Sequence, residues 1–273
     1  MGIALSMGMV LVAACTIDNT KRRYILAENL WENGKYSAAV AEFEQVYSRD
    51  PKGKLGLQAL FRAAMTQNLF LAEYNDAIKK FRTYIDIGGE DVSAWSANKA
   101  IGEILFLKLN HYETALTHYQ ALLRKKPYAP EAPEFLYRIA KSQFFLWDFE
   151  KAIETYQEII SRYGGSNYAE KSAYELGVTY FTMGDRAQDG ADAYQHAIDA
   201  YEAFLEKYPQ SDLATFARFG IANCMEEQNL LEEALPRYEE LLKEYPSTQV
   251  IETKLARLKQ RVSMRNSRKT QKK

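Results

Sequence analysis

Ala39-Val40-Ala41-Glu42-Phe43 is the first of six copies of one pattern, a small residue followed four positions later by a ring. The others are Ala77/Phe81, Ala115/Tyr119, Ala152/Tyr156, Ala197/Tyr201 and Ala234/Tyr238, with successive alanines 38, 38, 37, 45 and 37 residues apart. Antiparallel helices approach closely only where a side chain is small, and a ring one turn later fills the adjacent hole. Each copy follows another helical segment, and a breaker stands about twelve residues beyond its alanine: Pro51, Gly89, Pro127, Gly164, Pro209 and Pro246. Two helices and a stop therefore recur six times. A helix pair of this kind cannot bury its apolar face alone, so stacked neighbours must share one core.

Composition agrees with a folded, soluble chain: of 273 residues 47% are apolar and 26% charged. The charge is unevenly placed. After Glu252 come nine Lys/Arg and no acids, against 26 bases and 36 acids up to and including it. Lys254, Arg257, Lys259, Arg261, Arg265 and the bases beyond could meet an anionic partner, but a solvated, frayed end is the simpler expectation.

Residues 1–14 carry no charge and lead into Val12-Ala13-Ala14-Cys15, after which the polar stretch Thr16 to Arg23 begins. Fourteen residues are too few to span a bilayer, which takes about 20. They suit the apolar region of a signal peptide, although no Lys or Arg precedes it. The segment resembles a bacterial lipoprotein signal, and the resemblance implies lipidation at Cys15. Residues 1–14 are then the signal, 15–21 a lipid-anchored linker, 22–246 the repeats, and 247–273 a basic C-terminal helix and tail. Cys224 would be left as a lone thiol, expected to behave as a small buried hydrophobe.

The repeats resemble the tetratricopeptide family. Leu176-Gly177-Val178-Thr179-Tyr180 matches the family's first helix, and Ala39 to Phe43 with Pro51 its second. The resemblance implies an all-α fold, a right-handed superhelical solenoid of about six tetratricopeptide-type helix pairs. A narrower likeness lies in the junctions Tyr208-Pro209-Gln210-Ser211 and Tyr245-Pro246-Ser247-Thr248, with Tyr163-Gly164-Gly165-Ser166 as a degenerate copy. With the lipoprotein-like start, these junctions resemble the BamD family of outer-membrane assembly lipoproteins. That likeness implies protein partners: the periplasmic domain of the barrel insertase, and the targeting peptides of outer-membrane proteins. It implies no cofactor, no metal and no nucleic acid. Another envelope adaptor, such as a pilus-secretin pilotin or a cell-wall coordination factor, would carry the same repeats.

No phosphate loop, dinucleotide turn, nucleophile elbow or zinc-protease motif occurs, which argues against an enzyme. His111, His118 and His196 lack the Cys or carboxylate companions of a metal site. Eight extra residues in the fifth repeat, from Gly184 onward, read as a loop, and Asp185, Arg186 and Asp189 are its candidate docking residues. Carried onto this sequence, the family's groove positions fall on Tyr24, Glu28, Trp31, Arg62, Tyr137, Phe144, Tyr174 and Phe181. Rings with an Arg suit an extended peptide, since rings supply contact area at little entropic cost.

Overall fold

The computed structural model describes residues 19–88, 92–186 and 190–271. The proposed signal and Cys15 lie outside them, as does Asp189. Among the described residues there are thirteen α-helices and no strand. The chain divides into two compact units between Ala115 and Leu116, which are described separately.

The first unit holds α1 (19–32), α2 (Tyr36–Arg49), α3 (Lys54–Thr66), α4 (Tyr74–Gly88) and α5 (Val92–Glu103). It also takes in the start of α6 (Tyr112–Lys125). The second unit continues with α7 (Ala132–Phe145), α8 (Phe149–Arg162), α9 (Asn167–Arg186) and α10 (Ala191–Lys207). It closes with α11 (Ala214–Glu227), α12 (Leu231–Leu241) and α13 (Thr248–Gln271). Each helix from α7 onward packs on the next, and α7 also reaches α9, and α9 reaches α11. Contact between alternate helices is the signature of stacked hairpins.

The alanine-ring pattern does what its chemistry dictates. All six alanines are fully buried, and none of the six rings is more than 3% exposed. Five of the six second helices begin three residues before their alanine, at Tyr36, Tyr74, Tyr112, Phe149 and Leu231. Two residues ahead of each start the backbone turns through a positive φ, at Gly34, Ala72, Asn110, Trp147 and Asn229. The glycine and the two asparagines tolerate that region; Ala72 and Trp147 are held in it by the hairpin. At the junctions the serines cap the following turn: Ser166 Oγ accepts the Ala169 N–H at 3.2 Å and Ser211 Oγ the Leu213 N–H at 3.1 Å.

The spacing differences have two structural causes. Where alanines lie 38 rather than 37 apart, α3 and α5 end in π turns, Gln67–Leu71 and Ile104–Lys108. A π turn accommodates one added residue within a helix. The eight extra residues of the fifth repeat lengthen its hairpin instead: α9 runs 20 residues where α7 runs 14, and α10 runs 17. Asp185 and Arg186 therefore sit on the last turn of α9, not in a loop, where the contacts of Asp185 with Tyr194 and of Arg186 with Trp147 hold the turn despite the poor helix propensity of Gly184 and Asp185. Glycine makes the long hairpin possible: a Cβ on Gly177 would lie 2.4 Å from the Tyr201 ring, and one on Gly190 would lie 2.3 Å from the Gly184 carbonyl oxygen.

The basic C-terminal segment is also different from a frayed end. Ile251, Leu255 and Leu258 are buried against α12, so α13 docks as a helix. The apolar positions recur at helical spacing, which commits the bases between them to fixed directions.

Candidate functional site

The first helices carry the predicted groove residues, and the structure gives most of their ring area to internal packing. Tyr24, Phe61, Tyr137, Tyr174 and Phe219 each meet the pattern ring of their own hairpin, Phe43, Phe81, Tyr156, Tyr201 and Tyr238, with centroids 5.6–6.1 Å apart. Seven residues further along, Trp31, Phe144 and Phe181 meet the ring near the start of the second helix, Tyr36, Phe149 and Tyr194, at 5.5–6.1 Å. Phe106 does the same with Tyr112 at 5.5 Å. Two rings on one helix thus lock onto two on its partner. Tyr24, Tyr137, Tyr174, Phe144 and Phe181 are first of all hairpin glue, and only their outer edges face solvent. The cause is geometric: residues seven apart share a helix face, and that face meets the second helix.

What projects between successive first helices is charge. In the first unit the Arg62 guanidinium donates to both oxygens of Glu28, at 2.9 and 2.7 Å, tying α3 to α1. The same guanidinium lies 4.5 Å over the Trp31 ring. Burial, then the Glu28 carboxylate, holds the Tyr24 hydroxyl above its ordinary pKa. Glu28, Trp31, Arg62 and Tyr24 are therefore one assembly, each half-buried.

The second unit repeats the bridge with its charges exchanged. Lys141 of α7 donates to both oxygens of Glu175 of α9 at 3.0 and 3.1 Å, and the Tyr137 hydroxyl donates to Glu175 at 3.2 Å. Lys141 also lies 5.1 Å from the Phe144 and Phe145 rings. Glu28 and Lys141 each stand eleven residues before their repeat's alanine, and both bridges span 34 residues of sequence. Lys141 and Glu175 were not among the sequence candidates, yet the matching separation was there to be read. Burial, followed by Glu175, pushes the Tyr137 hydroxyl up, and burial pushes Tyr174 up to about 12.

The remaining candidates lie at the lengthened hairpin. Arg186 stacks 3.9 Å over Trp147, and the Tyr194 hydroxyl donates to Asp185 at 2.7 Å. Asp185 holds a ring of its own hairpin, and Arg186 holds one in the turn between α7 and α8. Cys224 is fully buried, and burial pushes its thiol up to about 12.

At the C-terminal end, Glu226 of α11 is 1% exposed and receives Lys254 at 3.0 Å and Arg261 at 2.9 Å from α13. The Tyr238 hydroxyl completes the cluster at 3.1 Å. Burial alone would raise the Glu226 carboxyl, but Lys254, Tyr238 and Arg257 outweigh it and hold the group below its ordinary value.

Models described as tetratricopeptide repeat match residues 21–52, 104–167 and 216–248, three stretches that fall on the helix pairs described above. The chain carries tetratricopeptide repeats over these three stretches. Among solved structures, a tetratricopeptide repeat protein from Parabacteroides merdae is similar, at 14% identity and a TM-score of 0.58, covering 87% of this chain and 86% of that one. PilW, a widely conserved type IV pilus biogenesis factor, is similar at 15% identity and 0.54, covering 86% and 98%. YrrB, a tetratricopeptide repeat protein with an unusual peptide-binding site, is similar at 17% and 0.50, covering 72% and 90%. At these identities the likeness is one of fold. No curated protein is similar enough to this sequence to match it. In each unit the first helices carry a half-buried ion pair flanked by rings, an arrangement suited to holding other proteins.

Proposed function

We propose that this chain is a lipid-anchored scaffold of the bacterial outer membrane, facing the periplasm, that holds polypeptides on its first helices and takes part in β-barrel protein assembly. The observation that carries the holding role is the Glu28–Arg62–Trp31 assembly: a bidentate ion pair beneath a half-open ring is a ready site for a carboxylate and an apolar side chain. Arg62 can shift from Glu28 to an incoming carboxylate with little loss, since the pair is only half-buried. The anchor and the envelope location are supported by Val12-Ala13-Ala14-Cys15. Barrel assembly is supported by the Tyr-Pro-x-Ser junctions.

Labelling with a palmitate analogue tests the anchor. Wild type is expected to incorporate label and Cys15→Ser to lose it, and unlabelled wild type would refute the tether. Capture of the full-length chain from detergent-solubilised envelopes is expected to bring down a barrel insertase, and depletion to lower barrel proteins in the outer membrane. Capture of a secretin or a cell-wall synthase, with barrel proteins unchanged on depletion, would replace barrel assembly by another envelope role.

A further inference from the structure

Ile25 and Leu26 of α1 are 51% and 46% exposed, and the exposed Lys21, Arg22 and Asn29 stand with them on one helix face. The opposite face, with Thr20 and Ala27, is buried. Later first helices do not leave this face open. α3, α9 and α11 each pack on the helix before them, α2, α8 and α10. The rings that meet the pattern rings, Tyr24, Phe61, Tyr174 and Phe219, give these helices a common origin. Counted from it, Arg22 corresponds to Ala59, Ser172 and Ala217, all fully buried, and Leu26 to Ala63 and Ile221, also buried. Among the described residues no helix covers the same face of α1.

The residues there select what can cover it. A helix, whether of a further hairpin or of a second copy, would have to bury the Arg22 charge where its counterparts offer small uncharged side chains. A bilayer surface makes no such demand, since its phosphates meet the cations while the apolar layer beneath takes Ile and Leu side chains. Charge points the same way: between Cys15 and Ala27 the sequence holds Lys21, Arg22 and Arg23 against Asp18 alone. So does chain length. Cys15 stands four residues ahead of α1, at most about 14 Å of extended chain, so a lipid on Cys15 keeps this helix beside the headgroups.

We propose that the outer face of α1 lies on an anionic phospholipid surface, with Ile25 and Leu26 dipping into it and Lys21 and Arg22 among the phosphates. The first repeat is thereby held against the membrane along a helix instead of swinging from its tether. The proposal rests on the lipid anchor at Cys15 and uses a face of α1 other than the one that carries Tyr24 and Glu28 to their partners.

The test uses the full lipidated chain with Asn29→Cys bearing a nitroxide; Cys15 is occupied by its lipid and the buried Cys224 does not react. A second chain carries the label at Lys79→Cys, an exposed position on α4 whose native side chain is 76% exposed. On vesicles of equal parts phosphatidylcholine and phosphatidylglycerol, the label at 29 is expected to lose collisions with a water-soluble nickel chelate and gain them with oxygen, relative to the label at 79. Lys21→Glu with Arg22→Glu should return both to the level seen at 79. Equal collision rates at the two positions, or equal protection of position 29 on pure phosphatidylcholine, would overturn the proposal. So would protection in detergent that grows with protein concentration, since the cover would then be a second copy. Palmitate labelling of the same protein separates the two failures. A labelled chain whose position 29 stays open to water refutes the α1 contact and leaves the anchor standing, whereas an unlabelled chain removes the anchor and the contact together.

Discussion

Two bridges occupy equivalent places in the two units, yet they carry opposite signs. In the first unit the carboxylate is on the earlier helix and the guanidinium on the later one; in the second the ammonium comes first and the carboxylate second. The repeat geometry determines where a bridge can form, because it sets which positions of neighbouring first helices face each other. It does not determine which partner is acidic. Sign is therefore a property each repeat can vary without disturbing the rings and alanines beneath it. The two bridges also differ in depth: side chains of Glu28 and Arg62 are 28% and 32% exposed, those of Glu175 and Lys141 13% and 18%. Glu226 extends the series. Here α13 supplies the cations, in the place that a first helix takes in the other two bridges.

The largest effect is expected where burial is deepest. Replacing Glu226 by Ala removes the shared partner of Lys254 and Arg261 and leaves the Tyr238 hydroxyl only Asn223, and should cost about 3 kcal/mol, read as a lower urea midpoint and faster amide exchange along α13. Acid should mimic it. Because the folded Glu226 pKa is lowered, its stabilisation is full above its ordinary value of 4.5 and is lost as pH falls through the folded value. The stability gap between wild type and Glu226→Gln should therefore narrow from neutral pH to pH ~3. A constant gap would contradict the assignment.

Next come the bridges. Lys141→Glu should cost about 1–2 kcal/mol and Glu28→Lys about 1 kcal/mol or less, following their exposure. Lys141→Glu combined with Glu175→Lys, or Glu28→Lys with Arg62→Glu, should each recover most of the loss in denaturant melts. Failure of both pairs to recover would mean that sign is not free at these positions.

The smallest effect separates two rings of the same rank. Tyr238 donates to Asn223 at 2.7 Å and to Glu226, so Tyr238→Phe should cost about 1 kcal/mol. The buried Tyr156 hydroxyl has no hydrogen-bond partner among the described residues, so Tyr156→Phe should change stability by less than about 0.5 kcal/mol. Thermal melts of the two variants make the comparison.

Hairpin number and placement were readable from Ala39/Phe43 and its five copies, because a wedge between helices needs those residue types at that spacing. The one-residue excess at Ala77 and Ala115 was visible as well, but not its location: a loop or a π turn can absorb a residue equally, and local packing decides. The same holds for the eight residues after Gly184, where two lengthened helices replaced the expected loop. The positive φ at Ala72 and Trp147 had no sequence signal, since neither residue favours it. For the site, the ring positions were identified but their duty was misjudged. Spacing places Tyr24 and Trp31 on one face, yet cannot say whether that face looks at a partner or at α2. The ion pairs needed contacts between helices some 34 residues apart in sequence, which periodicity within one helix does not encode.

The most direct test of the holding role uses the sign of the first bridge. Full-length Glu28→Arg/Arg62→Glu would be compared with wild type for thermal stability and for the proteins it captures from solubilised envelopes. A melting temperature close to wild type with a lost or altered set of partners is the predicted result; an unchanged set at unchanged yield would contradict it.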